Sequence, residues 1–334
     1  MQAYVLNAYG GPEGAQLMDV AAPAPGPRDI LVKVRAAGLN PVDFKFRQGK
    51  LRAIYRPTLP YVLGNEFAGE VVAIGSDVKR FAVGDRVFAR VAKDHAGAFA
   101  EQACVDEDVA ALMPRGLDFA TAAAVPLAAL TALQALRDEL AVKPRQHVFI
   151  SGGAGGVGTF AIQIAKWLGA HVTTTASPRG EALVRSLGAD EVIDYTVQNI
   201  SKQGRRFDAG FDLIGGDTLS QMFEVMKPGS KVVSVGAVPE PQTAIKDLDG
   251  NRLLAVAFWI ISHRIRSRAR RAGVGYRYLF MHPSGRELAE LGELIEQGRL
   301  KVIVDKTYPF SKMAEALAYV ESGRAKGKVV VTMT

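Results

Sequence analysis

The sequence predicts a two-domain α/β protein in which a small barrel or sandwich of short strands precedes a doubly wound parallel sheet. Its 334 residues suit two domains of ordinary size. In roughly the first 120 residues, glycine and proline recur about every ten positions, as in "APGPRD", "GNEFAG" and "AVGDRV", which is typical of short strands. Farther along, strand-like and helix-like runs alternate, and such alternation predicts a parallel sheet with helical crossovers.

The individual elements follow from local patterns. In the first part, "ILVKVRAAGL" (Ile30–Leu39) alternates apolar and polar residues as a half-buried strand does, and "AGEVVAIG" and "GDRVFAR" are further strands. The alanine-rich run "DFATAAAVPLAALTALQALRDEL" predicts a helix at the change of pattern. The parallel strands that we then expect are "HVFIS", "HVTTTAS", "EVIDY", "GFDLIGG" and "KVVSVGA". A last strand, "KGKVVVTM", is expected to return to the first domain.

Composition indicates a cytoplasmic protein. The single cysteine, Cys104, excludes an intramolecular disulfide and suits a reducing compartment, and its apolar surroundings in "AEQACV" predict a core position. The N-terminus lacks the basic and apolar regions of a secretory signal. No apolar run approaches the ~18 residues that a membrane span requires.

The net charge of +7 is concentrated in one segment. The stretch "HRIRSRARR" (His263–Arg271) carries five arginines and no acid, and it follows the apolar run in "LLAVAFWIISHRIRSRARRAG" (Leu253–Gly273). A lipid-surface or nucleic-acid site is one interpretation. The arginines spread around a helix, however, and the apolar half fits the core or the wall of a substrate cleft. We therefore expect no nucleic-acid binding and no membrane contact.

A glycine-rich loop follows the first strand of the second part. Gly153, Gly155 and Gly158 fit the pattern G-x-G-x-x-G, with Gly156 and Val157 opening the next helix. In dinucleotide-binding folds the first glycine permits a tight turn, the second lets the backbone approach a pyrophosphate, and the third lets helix and strand pack closely. Free N–H groups at the helix start then bind phosphate. The alternative is a glycine-rich turn without a ligand.

The residues after the next strand favour NADP over NAD. An NAD site usually places an acid about 20 residues beyond the loop to bind the ribose 2′-hydroxyl. Here the strand "HVTTTAS" ends in Ser177, Arg179 follows, and the first acid, Glu181, comes later. A hydroxyl and a guanidinium favour a 2′-phosphate. Tyr195 at the end of the third strand is a further candidate donor. The alternatives are a solvated position at the helix start for Arg179 and a half-buried position at the sheet edge for Tyr195.

The chain resembles the medium-chain dehydrogenase/reductase superfamily, and most closely its zinc-independent quinone and enone (alkenal) reductase branch. Eight stretches fall in the family's order: "GLNPVDFKFRQG", "LGNEFAGEVVAIG", "GDRVFA", "GAFAEQACV", "AAAVPLAALTAL", "GGAGGVG", "LGADEVIDY" and "GKVVV". The resemblance implies a GroES-like β-barrel catalytic domain (1–123 and 283–334) and a Rossmann NADP-binding domain (124–282). It also implies NADPH in the cleft between the domains and a homodimer formed through the strand "YRYLFM".

The zinc-binding positions of the family do not carry zinc ligands in this chain. Zinc members use a cysteine, a histidine in Gly-His-Glu, and a later cysteine or aspartate. Asn40 stands at the first position, Asn65 at the second, and 125–127 offer no ligand. No two of the five histidines, His95, His147, His171, His263 and His282, have metal-like spacing. Because a catalytic zinc needs three protein ligands, we expect no metal site.

The resemblance also implies roles for several polar residues. Asn40 is expected beside the nicotinamide, Asp43 is expected to support its loop, and Lys45 is a candidate for contact with cofactor phosphate or a developing oxyanion. Thr131 in "LTAL" corresponds to a family threonine near the nicotinamide, and Gly236 is a further cofactor-binding candidate. The alternatives are a turn cap for Asn40, a solvated helix position for Lys45 and an internal helix bond for Thr131. Tyr55 and Tyr61 are alternative proton donors but fit wall packing better.

The expected activity is hydride transfer from NADPH to a quinone or to the C=C bond of an α,β-unsaturated carbonyl, without zinc. In the second reaction charge builds on the carbonyl oxygen, which then needs hydrogen-bond donors. Two alternatives stay open. One is a non-catalytic NADPH-binding sensor or interaction protein, and the other is reduction of an aldehyde or ketone. Segment 253–273 departs from the shorter loops expected of the family, so substrate preference is a candidate role for it.

Overall fold

The structure, a computed structural model, describes residues 1–92 and 97–333, which form two compact units. The first unit comprises Met1–Leu130 and Pro283–Thr334, and the second comprises Thr131–His282. In chain order, the strands of the described residues are β1 (Gln2–Leu6), β2 (Ala15–Asp19), β3 (Asp29–Leu39), β4 (Tyr61–Val62), β5 (Glu66–Ile74), β6 (Arg86–Arg90), β7 (Gln102–Asp106), β8 (Ala110–Leu112), β9 (His147–Ile150), β10 (His171–Ala176), β11 (Glu191–Asp194), β12 (Phe207–Asp212), β13 (Met226–Ser234), β14 (Gly275–Tyr278), β15 (Val304–Pro309) and β16 (Lys328–Thr332).

The helices lie mainly in the second unit and near the C-terminus. In chain order they are α1 (Pro41–Arg47), α2 (Phe119–Ala123), α3 (Pro126–Leu133), α4 (Gly156–Trp167), α5 (Pro178–Ser186), α6 (Gly216–Val225), α7 (Pro241–Lys246), α8 (Arg252–Ile261), α9 (His263–Arg271), α10 (Gly285–Glu296) and α11 (Met313–Glu321). A π-helical segment, Gln134–Glu139, follows α3. Short 3₁₀ turns are Pro12–Gly14, Glu107–Val109, Ile200–Gln203 and Phe310–Lys312.

The first unit is built around the long strand β3, which pairs with β5, β7 and β16. The predicted alternation is confirmed in the first half of the strand, where Ile30, Val32 and Val34 are buried while Lys33 is exposed, but residues 36–39 are all buried. The main sheet has the order β15-β16-β3-β5-β6-β8, and a smaller sheet has the order β2-β1-β4. The last strand of the chain does return to this unit, and this pairing places Val329 opposite Leu39.

The second unit contains one parallel sheet of order β11-β10-β9-β12-β13-β14. From β9 the chain moves outward through β10 and β11 in one direction, and then through β12, β13 and β14 in the other. The reversal falls beside β9, and in such sheets ligands bind outside the carboxyl ends of the strands at this reversal. The predicted α/β class, with a strand-rich first unit and a doubly wound parallel sheet in the second, is confirmed.

Cys104 lies in β7 and is buried, as the sequence predicted. Burial, together with the Asp29 carboxylate, raises the pKa of its thiol to about 11. Since the thiolate is the reactive form, this cysteine is unsuited to nucleophilic chemistry at neutral pH.

Helix α8 is the main departure from the expected packing. The apolar run was expected to form core or a cleft wall, yet only Phe258 is fully buried, at 4% exposure. Leu253 is 86% exposed and Ile260 is 62% exposed. A core role is therefore wrong for most of this helix. Among the described residues, no helix combines the length and hydropathy needed to cross a bilayer.

Candidate active site

The glycine loop joins β9 to α4 at the carboxyl edge of the parallel sheet. Gly152 adopts a φ of +67°, a conformation that glycine accepts readily, and its N–H donates to Thr175 Oγ1 at 2.8 Å. The Gly153 N–H donates to the Thr175 carbonyl at 3.0 Å, so the loop is tied to β10. Helix α4 then begins at Gly156, with Gly155 in the N-cap position. Its first N–H groups have no preceding turn to bond to, which is the property an anion site uses.

The glycines at 153, 155 and 158 differ in what surrounds them. A Cβ on Gly158 would lie 2.3 Å from the Gly152 carbonyl oxygen, and a Cβ on Gly153 would lie 2.2 Å from Thr174 Oγ1. These two positions therefore exclude a side chain for packing reasons. At Gly155 the nearest atom to a Cβ would be 3.4 Å away, so the chain itself leaves this face open. An open face at the second glycine fits a pyrophosphate that approaches the backbone there.

Asp212 organises the neighbouring loops and was not singled out in the sequence. Its fully buried carboxylate accepts hydrogen bonds from Ser151 Oγ at 3.0 Å and from Ser234 Oγ at 2.7 Å. It also accepts from the backbone N–H of Gly215, at 3.0 Å for the nearer oxygen. Ser151, Asp212 and Ser234 end β9, β12 and β13 or directly follow them, so one carboxylate fixes three loops at this edge of the sheet.

Gly236 and Thr131 also lie in the second unit. The Gly236 N–H donates to Ser234 Oγ at 3.2 Å, and a Cβ at Gly236 would lie 2.8 Å from the Leu213 backbone. Gly236 therefore has a packing reason to be glycine, besides any contact with cofactor. Thr131 lies in α3 with only 4% exposure. Contact of Thr131 and Gly236 with the cofactor stays a prediction.

The structure brings together the residues expected to bind the 2′-phosphate. Ala176 and Asp194 are register partners in β10 and β11, so Ser177 and Tyr195, which follow them, stand at adjacent strand ends. Ser177 is the N-cap of α5, but its hydroxyl makes no capping bond, and Arg179 is exposed in the first turn of that helix. Tyr195 is 55% exposed. A hydroxyl, a guanidinium and a phenol therefore follow two adjacent strand ends at the same edge of the sheet.

Asn40 lies at the start of α1 in the first unit, with 3% exposure. Its Nδ2 donates to Glu66 Oε1 at 2.6 Å, and its Oδ1 accepts a hydrogen bond from Lys328 Nζ. Since a carboxamide carries two N–H bonds, one Nδ2 hydrogen remains beyond the bond to Glu66. Both ends of the amide are held, so its orientation is fixed by the surrounding charges.

Lys328 and Glu66 form a buried ion pair next to Asn40. Lys328 is 2% exposed and Glu66 is 0% exposed, and Nζ lies 2.6 Å from Oε1. The ammonium also donates to the Leu39 carbonyl at 2.9 Å, and Glu66 Oε2 accepts from the Leu127 N–H at 2.6 Å. The ammonium has three acceptors and both carboxylate oxygens have donors, which is the condition under which a buried pair is tolerated.

Asp43 connects the Asn40 segment to the Asn65 segment. Its Oδ2 accepts from the Asn40 backbone N–H at 2.7 Å, and its Oδ1 accepts from Asn65 Nδ2 at 2.5 Å. Burial raises the pKa of Asp43 to about 6, although both hydrogen bonds and the charge of Lys328 oppose this. A pKa of about 6 lies in a pH range in which the stability of the folded protein can be measured.

Lys45 and the two tyrosines have different surroundings. Burial, together with the neighbouring Lys50 charge, lowers the pKa of Lys45. No acid in residues 1–92 or 97–333 pairs with its ammonium, which is compatible with binding of an anionic ligand. Tyr55 and Tyr61 pack against Phe46, with ring centroids 5.9 and 5.8 Å from it. This favours the wall-packing interpretation of the two tyrosines.

The residues at the family's zinc positions do not fit a catalytic zinc. The Asn40 amide is bound to an ammonium and a carboxylate, and the third position contributes a backbone N–H, from Leu127, which cannot ligate a metal. A zinc ion here would also face the positive charge of Lys328. Within the described residues, no group of three or more His, Cys, Asp or Glu side chains could hold a metal ion.

Spacing in the sequence does not show that two of the histidines lie next to each other. His147 and His171 open the adjacent strands β9 and β10, and their rings stack with centroids 4.7 Å apart. This pair lies at the amino edge of the sheet, away from the glycine loop at the carboxyl edge. His95 lies outside the described residues.

Sequence reasoning missed Glu66, Lys328 and Asp212. The signal for the first two was present, because each charge opens a mainly apolar strand, in "GNEFAGEVV" and "GKVVV". A charge at the start of a buried strand needs a partner. Which charges meet depends on the register between β16 and β3, which is set by tertiary structure.

Comparison with known proteins agrees with this geometry. A family model described as "Alcohol dehydrogenase GroES-like domain" matches residues 26–115, and one described as "Zinc-binding dehydrogenase" matches residues 187–331. The chain is 36% identical to a mitochondrial NAD(P)H oxidoreductase of Danio rerio, over 100% of this chain and 91% of the relative. It is 38% identical to the chloroplastic NADPH-dependent alkenal/one oxidoreductase of Arabidopsis thaliana, over 99% and 79%.

A solved structure also matches the chain over its whole length. The quinone oxidoreductase of Coxiella burnetii matches with a TM-score of 0.86 and 32% identity, covering 100% of this chain and 99% of that one. The protein belongs to the medium-chain dehydrogenase/reductase family, in its quinone and alkenal oxidoreductase branch.

Proposed function

We propose that this protein is an NADPH-dependent oxidoreductase that transfers a hydride to a quinone or to the C=C bond of an α,β-unsaturated carbonyl. The observation that carries this proposal is the glycine loop. Its open face at Gly155 and the free helix start at Gly156 provide a pyrophosphate site. Relatives named as an NADPH-dependent alkenal/one oxidoreductase and a quinone oxidoreductase support the same cofactor and substrate classes.

The proposed cofactor contacts follow from the sheet edge. Backbone N–H groups of Gly156 and Val157 bind the pyrophosphate, while Ser177, Arg179 and Tyr195 bind the 2′-phosphate. We keep Thr131 and Gly236 as further cofactor-binding residues. NADPH, when bound, supplies the hydride. Support for NADPH over NADH comes from the exposed guanidinium of Arg179 and the uncapped hydroxyl of Ser177.

The proposed catalytic residues are Asn40, Asp43 and Lys45. As the substrate's β-carbon accepts the hydride, its π electrons move to the carbonyl oxygen, and solvent later protonates the α-carbon. The remaining Nδ2 hydrogen of Asn40 stabilises that oxygen, as preorganised donors do. Glu66 and Lys328 orient the amide, and Asp43 holds the backbone of Asn40. Lys45, half-buried without an acidic partner in the described part of the chain, attracts an anionic group.

We propose that the reaction proceeds without zinc. The support is the chemistry of the three family positions, where an amide, an amide and a backbone N–H replace the usual ligands. A quinone or a conjugated carbonyl needs less polarisation than a simple ketone does. This makes reduction of an aldehyde or ketone the weaker proposal.

We further propose a cytoplasmic homodimer in which residues 1–123 and 283–334 form the catalytic domain and 124–282 bind NADP. A reducing compartment is supported by the single buried cysteine, Cys104. Dimerisation is supported by β14, which forms one edge of the six-stranded sheet and offers unpaired backbone groups. Sedimentation of the purified protein over a range of concentrations tests the dimer.

Substitution of Asn40 tests the catalytic role. We expect Asn40→Ala to lower kcat by about 10²-fold or more, as loss of an oxyanion donor does, and to change the Kd of NADPH by less than about twofold. Asn7→Ala, at an exposed asparagine, is the matched control. Unchanged kcat in folded Asn40→Ala protein would contradict this role. NADPH binding without turnover of any acceptor by the natural protein would favour the non-catalytic sensor.

A further inference from the structure

Helix α8 and helix α9 together form a surface that the proposed function does not use. The docking face is defined here as the exposed apolar residues of α8 and the exposed arginines of both helices. The apolar members are Leu253, Val256, Trp259, Ile260 and Ile261. The arginine members are Arg252, Arg264, Arg268, Arg270 and Arg271.

The apolar part of the docking face is unusual for a surface helix. Every residue of α8 except Arg252 is apolar, and a helix that is apolar all round is normally buried. Here Phe258 faces the core, while Leu253, Val256 and Ile260 repeat at the spacing of one helix face and are 86%, 59% and 62% exposed. Contiguous exposed apolar surface of this kind marks an interaction site.

The charged part of the docking face follows directly in sequence. Residues 252–272 contain no acid, and none of their arginines forms a salt bridge within the described residues. Arg268 and Arg271 line a surface pocket together with the carboxylates Asp217 and Glu224 of α6. Arg252, Arg264 and Arg270 do not line this pocket, and they form no salt bridge within the described residues.

Trp259 links the apolar and charged parts. The Arg266 guanidinium lies over the Trp259 ring, 5.6 Å from its centroid, and donates to the Trp259 carbonyl at 2.7 Å. Trp259 nevertheless stays 55% exposed. An exposed tryptophan between an apolar helix face and arginines is the arrangement found where proteins meet the headgroup region of a bilayer.

We propose that the docking face binds the surface of a bilayer that contains anionic lipids. Helix α8 lies in the interface with its apolar face toward the acyl chains, and the unpaired arginines meet lipid phosphates. At ten residues α8 is too short to span a bilayer, which fits an interfacial position. This departs from the expectation of no membrane contact, which assumed that the apolar run is core or cleft wall.

Two other occupants fit the observations less well. A second copy of the chain would place the same face on both partners, since a two-fold interface is isologous, and the arginines would then repel one another. A nucleic acid would satisfy the arginines but would leave the apolar residues of α8 in water. Anionic lipid satisfies both parts of the face.

Vesicle flotation tests the proposal on the full chain. The lipids are phosphatidylcholine alone and phosphatidylcholine with about 30% phosphatidylglycerol, each in low and high salt. We expect binding only to the anionic vesicles, and at least about tenfold weaker binding in high salt. Equal binding to both lipids, or no binding to anionic vesicles in low salt, would overturn the proposal.

Variants locate the contact. The triple change Leu253→Gln, Val256→Gln and Ile260→Gln should weaken vesicle binding at least about tenfold, because it removes apolar surface that would be buried. Arg252→Gln, Arg264→Gln and Arg270→Gln together should have a similar effect. The controls change exposed residues elsewhere, namely Val83 and Val197 for the apolar set, and Arg299 and Arg324 for the charged set. Variants that raise KM for substrate yet bind vesicles normally would instead assign α8 to the substrate site.

Tryptophan fluorescence supplies a test that needs no change in the docking face. The chain has two tryptophans, so Trp167→Phe leaves Trp259 as the single reporter. We expect brominated anionic lipid to quench Trp259 and its emission to shift to the blue. Vesicle binding without quenching would show that another surface makes the contact and would overturn the proposal.

Discussion

At the scale of single residues, the Asn40 cluster shows how a buried charge pair is accommodated. The Lys328 ammonium and the Glu66 carboxylate are both satisfied by hydrogen bonds, and Asn40 lies between them. The same cluster explains why position 38 is glycine. A Cβ at Gly38 would lie 2.5 Å from Glu66 Oε1 and 2.4 Å from the Ala123 carbonyl oxygen. This cluster therefore constrains three separate stretches of sequence, at positions 38–40, 66 and 328.

The first prediction concerns Lys328. Lys328→Met leaves the Glu66 carboxylate buried without its counter-ion, so we expect the free energy of unfolding to fall by about 3–5 kcal/mol. Urea unfolding at neutral pH measures the change. Lys33→Met, at an exposed position of β3, should stay within about 0.5 kcal/mol. A loss below about 1 kcal/mol for Lys328→Met would show that the pair is not buried in solution.

The second prediction concerns the titration of Asp43. Burial raises its pKa to about 6 from an ordinary value of 3.8, so between these two values the folded chain binds about one proton more than the unfolded chain. The stability contributed by protonated Asp43 is fully present below pH 3.8 and is lost as pH rises through 6. In this window, the wild-type unfolding free energy should fall by about 1.4 kcal/mol per pH unit relative to Asp43→Asn.

Urea unfolding of both proteins at several pH values between 4 and 7 gives this difference. Using the difference removes the contribution of the other carboxyl groups, which the two proteins share. A wild-type minus variant difference that does not change with pH would contradict the raised pKa. A difference that grows with pH would show a lowered pKa.

At the scale of elements, two glycines of the loop between β9 and α4 are expected to have different roles, one in packing and one in cofactor binding. Gly158 has no room for a side chain, because the loop backbone lies against it. Gly155 has room, and we assign that room to the cofactor. The two glycines of one motif should therefore respond differently to the same substitution.

The third prediction compares Gly155→Ala with Gly158→Ala. We expect Gly155→Ala to melt within about 2 °C of wild type but to raise the Kd of NADPH at least about tenfold, because the methyl group occupies the pyrophosphate site. Gly158→Ala should lower the melting temperature by several degrees, as overpacking costs about 1–3 kcal/mol. Calorimetry and NADPH fluorescence titration measure the two effects. Normal NADPH affinity in Gly155→Ala would contradict the proposed site.

Several elements were predictable because they depend on local pattern. The alternation in the first half of β3, the strand–helix order from β9 to β13 and the position of the glycine loop follow from periodicity and glycine spacing, and all are observed. The role of Asp212 was not predictable, because β12 contains two acids and only the folded sheet brings Ser151 and Ser234 to this one. The exposure of α8 was not predictable either, since a mostly apolar helix has the same sequence pattern in a core and on a surface.

At the scale of the whole molecule, charged residues occur in three different settings. The buried pair Lys328–Glu66 orients an amide, the exposed Arg179 stands beside a strand end, and the arginines of α9 belong to a surface. The net charge of +7 alone suggests only an anionic partner. We propose two different anionic partners. One is the cofactor, which binds at the sheet edge of the second unit, and the other is lipid, which binds on two helices of the same unit.

The central claim is that the protein reduces quinones or conjugated carbonyls with NADPH. The measurement is NADPH oxidation by purified protein with a benzoquinone, a 2-alkenal, a cyclic enone and a saturated aldehyde in parallel, and with NADH as the control donor. We predict turnover with at least one of the first three acceptors, little with the saturated aldehyde, and slower rates with NADH. Turnover of the saturated aldehyde alone, or equal rates with NADH and NADPH, would contradict the account.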